Sequence, residues 1–220
     1  MLSFTEENYI KAIYHLSDAG QLAVSTNDIA LHLQTKAATV TDMIKKLANK
    51  DLLAYEKYYG VSLSKKGKTT ALYIVRKHRL WETFLVKKLG FQWDEVHEVA
   101  EQLEHIQSNL LIEKLDAFLG HPETDPHGHP IPDKNGKVKQ VKQFSLSQGK
   151  NGSKYIVSEV KDGSATFLQY LAKYDLYPGV TIQIKEILPF DGSMIVQLQN
   201  KQKITLSKAT SENILIKNNE

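Results

Sequence analysis

Residues 97–105, HEVAEQLEH, place two histidines and three glutamates in nine positions. On a helix turning about 100° per residue, His97, Glu101, Glu104 and His105 stand at i, i+4, i+7 and i+8 and share one face. The ordinary use of such a face is a solvated, salt-bridged surface. The chemical use is coordination, since carboxylate and imidazole together suit a divalent ion such as Mn2+, Fe2+, Co2+ or Zn2+. A second pair favours the chemical use: His78 and Glu82 in HRLWE are one helical turn apart. Two antiparallel helices, each with a His/Glu face, can hold one or two ions between them. The chain has no His-Glu-x-x-His zincin pattern and no separate nucleophile motif. It has no cysteine, which excludes disulfides, thiolate catalysis and thiolate zinc sites.

These groups need helices to position them, and the first 120 residues read mainly as helices. Thr5 is placed to N-cap a helix running through Tyr9, Ile10, Ile13, Tyr14 and Leu16, ended by Asp18-Ala19-Gly20. Ser25-Thr26-Asn27-Asp28 opens a second helix, and a third begins near Ala37 or Ala38 and carries Val40, Met43, Ile44 and Leu47. Leu52–Tyr55 and Val61–Leu63 read as two short strands. Helices then follow over about 65–90, 94–108 and 109–119. HPETDPHGHPIPDKNGK, from His121, is rich in Pro, Gly and polar residues and reads as a loop. Its histidines His121, His127 and His129 could hold a further metal ion, but the favoured reading is an ordered Pro-Gly loop in which they are incidental. From about Val141 the pattern is β: TIQIKEIL, SMIVQLQN and QKITLS alternate with period two, and DLYPG and PFDG supply turns. The expected fold is therefore mainly α with a small β domain. It comprises a winged helix-turn-helix (1–64), a helical segment with a Pro/Gly linker (65–140) and a closing β-barrel (141–220).

Residues 25–49 have the layout of a helix-turn-helix, with Leu52 to Leu63 as a wing. In such motifs the second helix enters the major groove and its early polar residues face base edges. Here those are Thr35, Lys36, Thr39, Thr41 and Asp42. Lys45, Lys46 and Lys50 lie further along, suited to phosphates. Lys57, Tyr58 and Tyr59 at the wing tip can reach the neighbouring backbone. The alternative is a plain three-helix core with a solvated lysine face. The first 75 residues carry nine Lys against seven Asp/Glu, so a dimer that doubles this small excess is the expected DNA-binding form.

The two His/Glu clusters and the winged helix, in this order, resemble the DtxR/MntR family of metal-dependent transcriptional regulators. The segments that carry the resemblance are ENYIKAIYHL, ATVTDMIKKLANKDLL, RKHRLWETFL, VHEVAEQLEH and PHGHPIP. The last eighty residues look like the SH3-like, FeoA-type domain of the longer members. The resemblance implies a homodimer whose winged helices bind a palindromic operator when metal sites between the helices are filled. By position, His78, Glu101, Glu104 and His105 match one set of ligands, and Glu82 and His97 match the ancillary set of iron-type members. Glu101 stands where iron-type members carry cysteine and manganese-type members carry glutamate, which points to Mn2+, with Fe2+ as the alternative. Asn8 occupies the amino-terminal ligand position, where Met or Asp is usual, and its amide oxygen is a candidate ligand. Lys11 replaces a glutamate that manganese-type members use, so the two-metal arrangement is changed. VKDGSATFLQYL lacks the family's Glu-x-x-Gln pair, leaving Asp162 or Ser164 as substitutes.

The remaining expectations follow from composition. A net charge of +3 permits nucleic-acid binding without demanding it. No stretch approaches the ~18 apolar residues of a membrane span, and the opening residues lack a signal-peptide pattern, so the expected location is cytoplasmic. The expected function is a Mn2+-responsive repressor of metal-uptake genes, not an enzyme. A di-metal His/Glu metalloenzyme is the alternative from another class.

Overall fold

The computed structural model describes residues 2–56 and 59–219. The chain clusters into two compact units that alternate along the sequence. Residues 1–78, 101–112 and 132–138 make the first, and 79–100, 113–131 and 139–220 the second.

In the first unit, α1 (Phe4–Leu16), α2 (Thr26–His32) and α3 (Ala37–Ala48) precede a two-stranded wing, β1 (Leu53–Glu56) and β2 (Gly60–Leu63). The N-cap of α1 is Ser3, not Thr5. Ser3 Oγ accepts from the Glu6 amide at 3.3 Å, and Glu6 Oε2 accepts from the Ser3 amide at 2.8 Å. That reciprocal pair satisfies two orphan donors at once, which Thr5 cannot do from inside the first turn. Ser25 caps α2 as expected, its Oγ accepting from the Asp28 amide at 3.1 Å. Ile10, Ile13, Ile29, Val40, Ile44, Leu47, Leu52, Val61 and Ile74 bury together in one core. Their three- and four-residue spacing turns the polar residues of each helix outward. β1 and β2 pair antiparallel from Leu53↔Leu63 to Glu56↔Gly60. Val61 also exchanges both backbone hydrogen bonds with Val24, at 2.8 and 2.9 Å, which pins the wing. Gly60 makes that approach possible: its φ is +105°, and a Cβ there would lie 2.6 Å from the Val24 carbonyl oxygen.

α4 (Lys65–Leu89) and α6 (Asn109–Phe118) fall where the sequence places them, but α5 (Val96–Leu103) is shorter than expected. Glu104 and His105 lie in the turn after α5, where Ile106 N–H bonds back to Leu103 at 3.1 Å. The shared helical face therefore breaks: His97 is 65% exposed at its side chain, whereas Glu104 is fully buried.

The second unit closes on a six-stranded antiparallel sheet, the small β domain expected from the sequence. Its strands are β3 (Phe144–Ser145), β4 (Lys154–Val160), β5 (Thr181–Ile187), β6 (Met194–Leu198), β7 (Lys203–Leu206) and β8 (Ile214–Asn218), in the order β3-β8-β4-β5-β6-β7. The period-two reading located β5, β6 and β7. It did not locate β3, β4 or β8, nor the short helices α7 (Ala165–Ala172) and α8 (Lys208–Glu212). Alternate residues Tyr155, Val157, Ile182, Ile184, Met194, Val196, Ile214 and Ile216 face one core, which Trp93 joins. Among the described residues, no helix is long and apolar enough to cross a membrane.

Candidate functional site

The first unit gathers a buried charge cluster around α1. Lys11 Nζ donates to both oxygens of Glu104, at 2.7 and 2.8 Å, and also to Glu101 Oε1. His78 Nδ1 donates to Glu104 Oε2 at 2.7 Å. Beside this network, Glu7 accepts from His105 Nδ1 at 2.7 Å and from Gln107 Nε2 at 2.8 Å, with Lys77 Nζ 3.4 Å away. Phe4 stacks on the His105 imidazole, ring centroids 4.6 Å apart. Residues read from the sequence as ligands, His78, Glu101, Glu104 and His105, are thus brought together in the first unit. The cation they meet is Lys11.

Whether this cluster fits a divalent ion turns on that ammonium. Its three N–H donors are spent on three carboxylate contacts. An ion bound to the same oxygens would lie about 4 Å from a positive charge. Repulsion between them would be roughly 8 kcal/mol at an effective dielectric near 20. With Lys11 in place, these residues do not fit a metal ion. Asn8, the remaining candidate ligand, keeps its Oδ1 buried with no hydrogen-bond partner, so one acceptor in α1 stays unmet.

The second unit holds a different cluster. Asp125 Oδ1 accepts from the backbone amides of His127 and His129, at 2.8 and 3.0 Å, and Oδ2 lies 3.1 Å from His129 Nδ1. Gly128 allows the loop to seat: at φ +91°, a Cβ there would fall 2.1 Å from the Ser158 carbonyl oxygen. Arg79 fastens the loop from α4, donating to the Pro130 carbonyl at 2.5 Å and lying 3.7 Å from Asp125. His127 donates Nε2–H to the Trp93 carbonyl at 2.8 Å. That bond leaves Nδ1 as the nitrogen that faces the carboxylates, Glu82 at 3.7 Å and Asp125 at 3.9 Å. Glu82 Oε1 in turn lies 3.6 Å from His97 Nδ1.

This second cluster fits a divalent ion: Asp125, His127 and His129 each offer a donor atom within 4.8 Å of the others. Two donors each about 2.1 Å from one ion lie roughly 3–4.2 Å apart, which spans the separations of Glu82 and Asp125 from His127 Nδ1. A histidine that gives its other N–H to a carbonyl is the arrangement metal-ligating imidazoles adopt. Burial alone would lower the His127 pKa, but Glu82, Asp125 and the Trp93 carbonyl outweigh it and the net shift is upward. The pocket's field thus favours a cation. Glu82 and His97 were read from the sequence as ligands; Asp125 and His127 were not. The signal was present as Asp-Pro-His-Gly-His in a loop, a spacing no helical argument evaluates.

The DNA-reading candidates sit on or beside α3. Lys36, Thr39, Thr41, Asp42, Lys45 and Lys46 are exposed, while Val40, Ile44 and Leu47 anchor the opposite face. Thr41 Oγ1 donates to its own helix at the Ala37 carbonyl, 3.0 Å, so its hydroxyl is partly committed. Thr35 is half-buried and hydrogen-bonds Tyr9, whose hydroxyl burial holds above its usual pKa. Lys46 and Lys50 both reach the buried Glu6, at 3.2 and 2.6 Å. Together they hold its carboxyl down at about 2. Lys45 has only an exposed 3.4 Å pairing with Asp42. Tyr59 is 78% exposed at the wing; Lys57 and Tyr58 lie outside the described residues.

Comparison with known proteins places these features. Residues 1–61 match the iron dependent repressor N-terminal DNA binding domain, 64–133 its metal binding and dimerisation domain, and 144–218 the FeoA domain. The iron-dependent repressor IdeR of Mycobacterium leprae is 34% identical over 128 residues, 58% of this chain and 55% of that protein. The chain thus spans about half the length of such curated relatives. An HTH-type transcriptional regulator of Methanocaldococcus jannaschii is 34% identical over 118 residues, 54% of this chain and 94% of that protein. Among solved structures, a manganese-dependent transcriptional repressor in complex with manganese superposes with a TM-score of 0.85 at 32% identity. It covers 97% of this chain and 100% of its own. The IdeR of T. acidophilum superposes with a TM-score of 0.74 at 26% identity, covering both chains fully.

Proposed function

The chain belongs to the DtxR/MntR family of metal-dependent transcriptional regulators, in its long form with a FeoA-type domain, and on that premise we propose that it is a homodimeric, Mn2+-responsive repressor of metal-uptake genes acting in the cytoplasm. The named relatives and neighbours are transcriptional regulators, which sets aside the di-metal enzyme. Three working segments, 1–64, 65–140 and 141–220, are supported by the extents of the matched domains.

The observation that carries the metal-responsive reading is His127, its Nε2–H given to the Trp93 carbonyl and its Nδ1 turned to Glu82 and Asp125. Asp125, His127 and His129 would hold the ion together with Glu82, with His97 at the edge. A bound ion would supply the positive charge that the carboxylates of Glu82, on α4, and Asp125, on the 121–131 loop, call for. Arg79 keeps that loop against α4 through the Pro130 carbonyl. A set of carboxylates and imidazoles without thiolate suits Mn2+. Fe2+ is the second reading, favoured by the iron-dependent relatives.

On the DNA side, Thr39 and Asp42 face base edges while Lys36 and Lys45 meet phosphates. Dimerisation is supported by α6, which exposes Leu110, Leu111 and Phe118, two of them one heptad apart. Fluorescence anisotropy with a palindromic duplex, run anaerobically at fixed salt, tests the reading. Mn2+ is expected to raise affinity 5–150-fold over chelator, the usual range of allosteric coupling. Equal affinity with chelator and with every divalent ion tried would sink metal gating.

A further inference from the structure

Lys11 is nine-tenths buried, and its ammonium holds two carboxylates drawn from α5 and the turn after it. Glu104 is fully buried and accepts at both oxygens from Lys11 and at one from His78. A carboxylate so placed requires a cation, because a lone buried charge is strongly disfavoured. The chain itself provides that cation, from α1. We propose that Lys11 replaces a metal ion at the Glu101–Glu104–His78–His105 cluster. On this view α1 is tied to α4 and to the end of α5 permanently, with chelator or without. Any metal response of the protein then resides in the Asp125–His127–His129 cluster and the Glu82 beside it. The inference adds to the metal-responsive reading above but does not depend on it.

The geometry supports a substitution rather than a coincidental surface pair. Lys11 makes three contacts to two carboxylates, and its partners bridge to α4 through His78. The neighbouring Glu7 network ties α1 to the same two elements through Lys77 and through His105. One helix is thus stitched at two successive turns by groups the chain carries covalently.

The test uses the full-length chain, stripped with EDTA and titrated with Mn2+, counting bound ions by the loss of the free-Mn2+ electron paramagnetic resonance signal. Hydrogen exchange of the α1 amides is followed in parallel. The wild-type count is expected to be unchanged by Glu101→Gln and by Glu104→Gln, and α1 exchange to be the same in EDTA and in Mn2+. Lys11→Glu restores a vacant carboxylate site and is expected to bind one ion more per chain than wild type. Lys11→Met, which needs no new charge to be accommodated, is expected to speed α1 exchange at least tenfold in EDTA and to recover in Mn2+. A wild-type count that falls by one in Glu101→Gln or Glu104→Gln would overturn the proposal, as would a Lys11→Met protein whose α1 exchange matches wild type in EDTA. Failure of the metal-responsive reading looks different: wild type then binds no ion that His127→Ala removes, while the gain of one ion in Lys11→Glu still stands.

Discussion

The two clusters are built from the same side chains and differ in where the cation comes from. In the first unit, Glu101, Glu104 and His78 meet an ammonium delivered by α1. In the second, His127 Nδ1 faces Glu82 at 3.7 Å and Asp125 at 3.9 Å, with the Arg79 guanidinium 3.7 Å from Asp125. Carboxylates and imidazoles alone therefore do not make a metal site. What decides is whether a fixed positive charge already satisfies them. Lys11 does so directly, whereas Arg79 spends its closest contact on the Pro130 carbonyl and stands 3.7 Å from Asp125. A closed cluster gives constant rigidity, and an open one can respond to ion concentration.

The sharpest way to break the comparison is to remove the covalent cation. Lys11→Met leaves buried Glu104 without its ammonium, with His78 still bonded to it, and breaking one side of a buried ion pair costs about 3–5 kcal/mol. Urea unfolding in EDTA should show that loss, and Mn2+ should restore part of it. The corresponding change in the open cluster, His127→Ala, removes a buried ring bonded to the Trp93 carbonyl and should cost about 1–3 kcal/mol in EDTA, less than Lys11→Met. Its further effect belongs to gating: the 5–150-fold gain in operator affinity with Mn2+ should disappear. If His127→Ala kept the full gain, the ion that gates DNA binding would lie elsewhere and the contrast between the clusters would fail.

The sequence made the helical framework legible because its apolar residues recur at three and four over long runs, as from Lys65 to Leu89. β4 was not legible: in KYIVSEV the buried residues alternate, but a bulge between Val157 and Glu159 shifts the register and breaks the period. The ligand types at 78, 82, 97, 101, 104 and 105 could be read from helical spacing. Their division into two clusters could not, because it depends on α5 stopping at Leu103 and on a loop folding Asp125 and His127 toward α4. Lys11 was legible only as a departure from the family pattern. That it fills the cluster rather than merely lacking a ligand atom needed the position of its ammonium.

The lysines of α3 allow a finer form of the same comparison, between cations that are spent within the chain and cations that remain for DNA. Lys45 is 70% exposed and weakly paired, so Lys45→Ala should lower the slope of log affinity against log salt by about one, measured by anisotropy from low to moderate salt. Lys50, committed to Glu6 at 2.6 Å, should leave that slope nearly unchanged when replaced by Ala. Its effect should appear in stability instead, and be smaller than that of Lys11, since its side chain is 38% exposed and solvent screens the pair.

Acid provides the smallest and most specific readout of that pair. The folded carboxyl of Glu6 titrates at about 2 against 4.5 for the free group, held down first by Lys50 and opposed by burial. A depressed carboxyl binds fewer protons folded than unfolded, so its contribution is complete above pH 4.5 and drains away as pH falls toward 2. Urea midpoints taken across that window should fall more steeply in wild type than in Glu6→Gln. Parallel curves would mean that Lys46 and Lys50 do not hold Glu6 in solution and remain available to phosphate, which would move them from the spent class to the class of Lys45.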